Sequence, residues 1–280
     1  MNSSDIRPLR IVGYGFLAFA LTTITGGVWS ALLIVNLRSR PELPWSVGVM
    51  AVLLVLVWKY LKGAGWPRST AAARRRDLRG DPVSAAVWCW ALAAGALAIA
   101  SLTGLWIVLV RIVSVPPHAL PDFSRYPATT VALALVMSSA VGAVTEEAGF
   151  RGYFQGALES RFGAIAAIAI TALVMAPVHA LSQGFVWPVL VFYVTVDVML
   201  GAMAALCRSI LPGIVVHAAG LFVFFEAIWP HDAERLPLRL SGGDADFWLD
   251  VCQAAICAAL AFAAFFRLRR VAEQQRLLRG

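Results

Sequence analysis

Thr145-Glu146-Glu147-Ala148-Gly149-Phe150-Arg151 follows a long apolar run, 129–144, in a chain that is apolar almost throughout. Two carboxylates and a guanidinium at that depth need a physical reason. A charge at the centre of a bilayer costs on the order of 2.5–3.5 kcal/mol even on lenient insertion scales, so three charges within six residues point to an internal polar site. The surroundings support that setting: hydrophobic residues make up 60% of the 280-residue chain, charged residues 14%, and the mean hydropathy is +0.77. This composition excludes a soluble globular core and describes a protein that crosses the membrane many times.

Segments of the length a bilayer demands, roughly 20 apolar residues, fall at 11–37, 44–61, 83–113, 128–144 with a polar helical continuation, 164–181, 185–206, 210–229 and 247–266. The expected fold class is therefore all-α and polytopic, with about eight transmembrane helices. Short cytoplasmic loops retain Lys and Arg, and the cations alternate accordingly. Arg7 and Arg10 precede the first segment. Lys59, Lys62, Arg68, Arg74, Arg75, Arg76 and Arg79 follow the second, Arg161 the fourth, Arg208 the sixth, and Arg267, Arg269, Arg270, Arg276 and Arg279 the eighth. Both termini are expected in the cytoplasm, with the chain in the cell (inner) membrane. The net charge of +7 is then an address and a source of contact with anionic lipid. Nucleic acid is not an expected partner, because no soluble basic domain exists to present a groove.

The first apolar stretch is too long for a signal-peptide core and no small-residue cleavage site directly follows it, so an uncleaved helix is expected. Cys89, Cys207, Cys252 and Cys257 lie in or beside apolar segments without metal-type spacing and indicate no disulfide framework. The expected organisation is 1–127 as accessory helices with a basic loop, 128–230 as the core, and 231–280 as an outer loop, last helix and basic tail.

Within 128–230 the other groups able to move protons or bind metal are His179, Asp197, His217 and Glu226. His179 follows Pro177 and His217 follows Pro212 by five residues, so each is expected one turn or so beyond a kink that frees a carbonyl. Glu146 and His179 are 33 residues apart, with a turn near Phe162 and Gly163 roughly halfway; two straight antiparallel helices would bring them to equal height. Ala148, Gly152 and Gly156 give one helix face a small residue at every fourth position, suited to close packing. Two readings of the Glu pair stand side by side. In one, a helix ends in interfacial water and Glu147 pairs with Arg151. In the other, the helix runs on to Ser160 and buries all three charges, leaving one carboxylate held by Arg151 and its neighbour able to take a proton from water.

The pattern Glu146, Glu147 and Arg151, with His179 one hairpin later and His217 in the next span, resembles the CAAX-protease and bacteriocin-processing (Abi) family of intramembrane endopeptidases. The resemblance covers about 128–230 and implies peptide hydrolysis inside the bilayer. It implies that Glu146 activates a water with His179, that Glu147 and Arg151 hold the carboxylate geometry, and that His217 polarises the scissile carbonyl. The implied partner is a membrane-anchored or lipidated protein or peptide, cut near its C-terminus or in a leader. Two positions depart from the family pattern. Met175 stands where Phe is usual, and Leu221 stands where Asn or Asp is usual and helps hold the developing oxyanion. The chain's only asparagines are Asn2 and Asn36, so Thr195, Gln183 or His217 would have to supply that donor. Asp197 is a candidate to support the site or touch substrate. No cofactor is favoured. A zinc ion would need Glu146, His179 and His217 from three separate helices, without a His-Glu-x-x-His motif. A divergent sorting-type (myxosortase-like) transpeptidase and an inactive scaffold that binds a membrane partner remain the alternatives.

Overall fold

The computed structural model describes residues 8–113 and 123–277, without the side chain of Ser182. Arg7, Arg279 and Asn2 lie outside the described residues. Every described regular element is helical: α1 (Pro8–Ser39), α2 (Trp45–Leu61), α3 (Ala71–Leu78), α4 (Ala85–Ile112), α5 (Ala128–Glu146), α6 (Gln155–Phe162), α7 (Ala164–Gln183), α8 (Trp187–Cys207), α9 (Leu211–Val223), α10 (Leu238–Ser241) and α11 (Ala245–Leu277). Wider π-helical turns at Glu147–Phe154 and Phe224–Ile228 join α5 to α6 and continue α9.

Among the described residues, seven helices are long and apolar enough to cross a membrane, and Trp45–Leu61 is a shorter apolar helix. The chain is an integral, multi-pass membrane protein of all-α class. All eight apolar segments are helices, but the second has only 17 residues, about 25 Å at 1.5 Å per residue against a core of about 30 Å. The stretch Ala128–Phe162 runs unbroken for 35 residues, which is the longer of the two readings of the Glu-Glu segment. It turns back at Gly163, whose φ of +80° suits a residue without Cβ.

The chain divides into two compact units, one of 1–81, 120–167 and 209–222, the other of 82–119, 168–208 and 223–280. In the first, α1, α2 and α5 meet around Trp29, Met50, Ala134, Met137 and Val141. The Trp29 indole donates to Ser138 Oγ at 2.8 Å. Asn36 is fully buried and ties the α1–α2 turn, donating to the carbonyls of Arg40 and Leu43 and accepting from the Ser46 N–H. A second cluster gathers Leu61, Leu78, Ala148, Tyr153 and Ile210. Here the small-residue face meets the end of α3: a Cβ on Gly152 would come 2.7 Å from the Leu78 carbonyl oxygen, and one on Gly156 would come 3.3 Å from Arg79 Cδ.

In the second unit, α4 and α11 pack along their length. Gly104 gives closest approach, since a Cβ there would lie 2.7 Å from the Asp250 carbonyl oxygen. Trp106 is fully buried, its indole donating to Asp232 Oδ2 at 2.9 Å and its ring edge-on to Phe192. Arg111 closes the unit on Asp244 at 2.6 Å. Cys89, Cys207, Cys252 and Cys257 are free thiols.

Candidate functional site

All eight residues from Glu147 to Phe154 are buried. The backbone here opens to i→i+5 bonding, with the Gln155 N–H reaching back to the Phe150 carbonyl. Such π-turns are uncommon and concentrate at functional sites. Two glycines set this one. A Cβ on Gly149 would fall 2.9 Å from Ala18 Cα in α1, and Gly152 faces the Leu78 carbonyl, so helix neighbours press the segment from two sides.

Glu147 and Arg151 are both at zero exposure, with Arg151 Nη1 3.7 Å from Glu147 Oε1. That separation is an ion pair but too long for a hydrogen bond, and a buried pair needs further partners to offset its desolvation. Glu147 Oε1 finds one in His217 Nδ1, 3.0 Å away. A ring nitrogen facing a carboxylate at that distance carries the proton and donates it, which turns Nε2 outward. His217 Nε2 then lies 3.8 Å from Glu146 Oε2. The Glu146 side chain keeps 13% exposure while that of Glu147 keeps none, so the adjacent carboxylates differ in access.

The helix that carries His217 is set by its first turn. Pro212 is the second residue of α9, where the N–H it lacks would have had no intrahelical partner. The expected kink at Pro212 is therefore absent, and His217 sits one turn into an ordinary helix. Gly213 lies four residues before His217 on that helix, and a Cβ there would come 2.8 Å from Glu147 Oε2. The missing side chain makes room for the carboxylate.

Arg79 links the two halves of this arrangement. Its carbonyl accepts from the Ile210 N–H at 2.9 Å, where α9 begins. Its Nη1 donates to the Arg151 carbonyl at 3.4 Å and pairs with Glu159 Oε1 at 3.0 Å, an oxygen that also accepts from Gln155 at 2.8 Å. Arg79 holds a left-handed conformation, φ +57°, in the position past a helix end that glycine usually fills.

The structure thus brings Glu146, Glu147, Arg151 and His217 together within the first unit. His179, Gln183, Thr195 and Asp197 belong to the second. There the His179 ring stacks on Tyr193, centroids 4.1 Å apart and 10° from parallel, and the Gln183 amide donates to the Tyr193 hydroxyl. Asp197 is buried and Met175 is buried. Thr195 is exposed, its hydroxyl donating to the Val191 carbonyl at 2.8 Å. Glu226 is exposed.

Residues 128–223 match the family model described as type II CAAX prenyl endopeptidase Rce1-like. That segment, about a third of the chain, is similar to the Rce1-like family. No curated protein and no solved structure matches the chain. The Rce1-like segment runs from the start of α5 to the end of α9 and contains every site residue expected from the sequence. The family-pattern asparagine is replaced by Leu221, which packs on α5: a Cβ on Gly142, one turn before Glu146, would lie 3.0 Å from Leu221 Cδ1. Among the described residues, no three His, Cys, Asp or Glu side chains are grouped to hold a metal ion.

Gly213, Arg79 and Gln155 were not expected from the sequence. Gly213 carries no local signal, since its role depends on a carboxylate 66 residues earlier. Gln155 does carry one, as a polar residue one turn beyond Arg151 on the same face.

Proposed function

We propose that the protein is an intramembrane endopeptidase that cuts membrane-anchored or lipidated proteins with a glutamate-activated water. The observation that carries this reading is the clasp of His217 by buried Glu147, which leaves Nε2 facing the more accessible Glu146 at 3.8 Å. A gap of that size suits one water hydrogen-bonded to both atoms at about 2.8 Å. With Nδ1 protonated, Nε2 accepts from that water, as does the Glu146 carboxylate. The water oxygen then presents its lone pairs to the scissile carbonyl. Attack transfers one water proton to Glu146, the C–N bond breaks, and Glu146 returns the proton to the leaving amine.

Geometry thus supports His217 as the imidazole that shares the water with Glu146, a task the family resemblance gives to His179. His179 enters on the resemblance alone, which gives it a share in activating the water, with Asp197, Thr195 and Gln183 as candidates to support the site or touch substrate. No metal or cofactor is assigned. The alternation of basic loops supports cytoplasmic termini and insertion in the cell (inner) membrane.

The test is intact-mass comparison of lipidated and membrane-anchored proteins in a host lacking the gene, rescued with the native chain, Glu146→Gln or His217→Ala. Shortened products restored by the native chain alone are expected. Equal rescue by both variants would sink the protease reading in favour of a scaffold. Products bearing an added amine in place of a free carboxylate would redirect it to a sorting-type transpeptidase.

A further inference from the structure

The loop between α2 and α3 holds polar and aromatic groups that the proposed chemistry does not use. Trp66 is 85% exposed, the second most exposed large apolar side chain among the described residues, and Tyr60 is 42% exposed. Lys59, Lys62, Arg68 and Arg75 are exposed around them. The loop is nevertheless rigidly built. Buried Arg74 sits at its centre and donates to the carbonyls of Tyr60 at 2.9 Å, Pro67 at 3.2 Å and Ala64 at 2.9 Å, and to the Thr70 hydroxyl. Its guanidinium also lies over the Tyr60 ring, 4.1 Å from the centroid. Gly63 makes the tightest turn, at φ +96° and with the Ala71 carbonyl oxygen 2.7 Å from where a Cβ would be. A loop pinned through three carbonyls from inside holds its tryptophan outward.

The nearby acid is accounted for. Asp77 binds Arg10 at 2.6 Å and Arg76 at 2.8 Å and accepts from Tyr14 at 2.5 Å. Arg75 is turned the other way, its Nε donating to the Lys62 carbonyl at 3.3 Å. The outer face of the loop is therefore cationic and aromatic. Its height is set by α2, a largely apolar helix of 17 residues that spans about 25 Å, short of a core of about 30 Å. A short helix draws the residues after it toward the boundary layer, where tryptophan and tyrosine favour the headgroup level.

We propose that this loop is an anionic-lipid anchor. The Trp66 indole seats at the headgroup–acyl boundary, and Lys59, Lys62, Arg68 and Arg75 take the phosphates of anionic phospholipids. The partner is a lipid surface rather than a soluble protein, because an exposed indole beside a short apolar helix, ringed by long cationic side chains, matches the amphipathic profile of the interface. The anchor is independent of the proteolytic reading.

The test uses the full chain in nanodiscs of phosphatidylcholine alone or with one-third phosphatidylglycerol. The Trp66 signal is the emission lost in Trp66→Phe. Quenchers are lipids brominated near the top of the acyl chain and, from the water, iodide. Quenching by brominated lipid that deepens with phosphatidylglycerol is expected, as is co-purifying phosphatidylglycerol that falls about fivefold for each cation removed in the series toward Lys59→Gln, Lys62→Gln, Arg68→Gln and Arg75→Gln. These four side chains are exposed, and an unchanged melting temperature confirms that the variants fold. A Trp66 signal quenched by iodide and untouched by brominated lipid in both bilayers would overturn the anchor and leave a surface open to a soluble partner. Brominated-lipid quenching indifferent to phosphatidylglycerol and to the four substitutions would equally overturn it, since the anionic headgroup would have no part.

Discussion

Gly213→Ala tests the clasp at its narrowest point. The new methyl would lie 2.8 Å from Glu147 Oε2 and 3.4 Å from Cδ. A carboxylate at the end of a flexible chain usually yields at little cost. Glu147 is fully buried between Arg151 and His217, so any retreat is taken out of those contacts. Restoring an ordinary contact of 3.4 Å requires 0.6 Å of movement away from α9. Because the carboxylate is rigid, the 3.0 Å bond to His217 Nδ1 stretches toward roughly 3.6 Å, outside hydrogen-bonding range. Loss of a hydrogen bond to a charged group costs about 2 kcal/mol, or roughly 5 °C in Tm. An imidazole released from its orienting partner costs about 100-fold in rate if it must meet a water within a few tenths of an ångström. Product formation in the rescued host and thermal unfolding in detergent read the two effects together. Gly26→Ala is the control: nothing lies within 4 Å of its new methyl, and alanine inside a helix gains about 0.5–1 kcal/mol. Retained processing and an unshifted Tm in Gly213→Ala would refute the claim that Glu147 holds His217 in place.

The adjacent glutamates should separate by stability. Glu146→Gln is expected to abolish product with little change in Tm, whereas Glu147→Gln removes the buried charge that faces both Arg151 and His217 and is expected to lower Tm clearly more; equal melting curves would contradict the division of roles. Leu221→Asn places an amide one turn before Glu146 on the α5 face, and if that position still neighbours the oxyanion, turnover should rise by up to about 100-fold; an unchanged rate would show that the amide does not reach it. Asp77 links stability to pH. Burial alone would raise its pKa, but hydrogen bonds from Arg76, Tyr14 and Arg10 outweigh burial and hold it below the ordinary value of 3.8. Its contribution is therefore complete above about pH 4 and lost as pH falls through the lowered value. Melting temperature against pH should show the native chain converging on Asp77→Asn in acid, and a gap that stays constant to the lowest pH would exclude the linkage.

The helices were legible because apolar length alone specifies them in a membrane. The limit appears at α2, where the sequence supplies an apolar segment but only 17 residues of helix, since Asn36 and the turn it caps consume the residues before it. Continuity from Ala128 to Phe162 could be read only as one of two alternatives, the other being a helix that ends in interfacial water at the Glu pair. Its widening to a π-turn could not, since i→i+5 bonding is imposed by α1 at Gly149 and by the end of α3 at Gly152. Pro212 was misread for a different reason. A proline kinks a helix only when a turn precedes it, and here Ser209 and Leu211 mark a helix start, a signal that proline in the first turn reinforces. Glu146, Glu147, Arg151 and His217 were visible as rare polar residues in an apolar field. The contact of His217 Nδ1 with Glu147 was not, because it joins residues 70 positions apart in the chain.

The polar chain through the first unit shows why Glu146 and Glu147, alike in sequence, need not be alike in function. Arg79, partly buried, faces Glu159, and Arg151, fully buried, faces Glu147, so each of these cations has an anion. The inner carboxylate is committed twice, to Arg151 and to His217 Nδ1, and has no exposure. What lies beyond it is an imidazole nitrogen and a carboxylate 3.8 Å apart, with access on the Glu146 side. A buried network that is nearly satisfied resists rearrangement, and rigidity is useful to chemistry only where it ends at a group that can still exchange a proton. On our proposal, Glu147 and Arg151 fix His217 so that the outer glutamate meets water and substrate against a stationary partner. A substitution that loosens the inner pair should therefore lower turnover even when Glu146 and His217 are both intact.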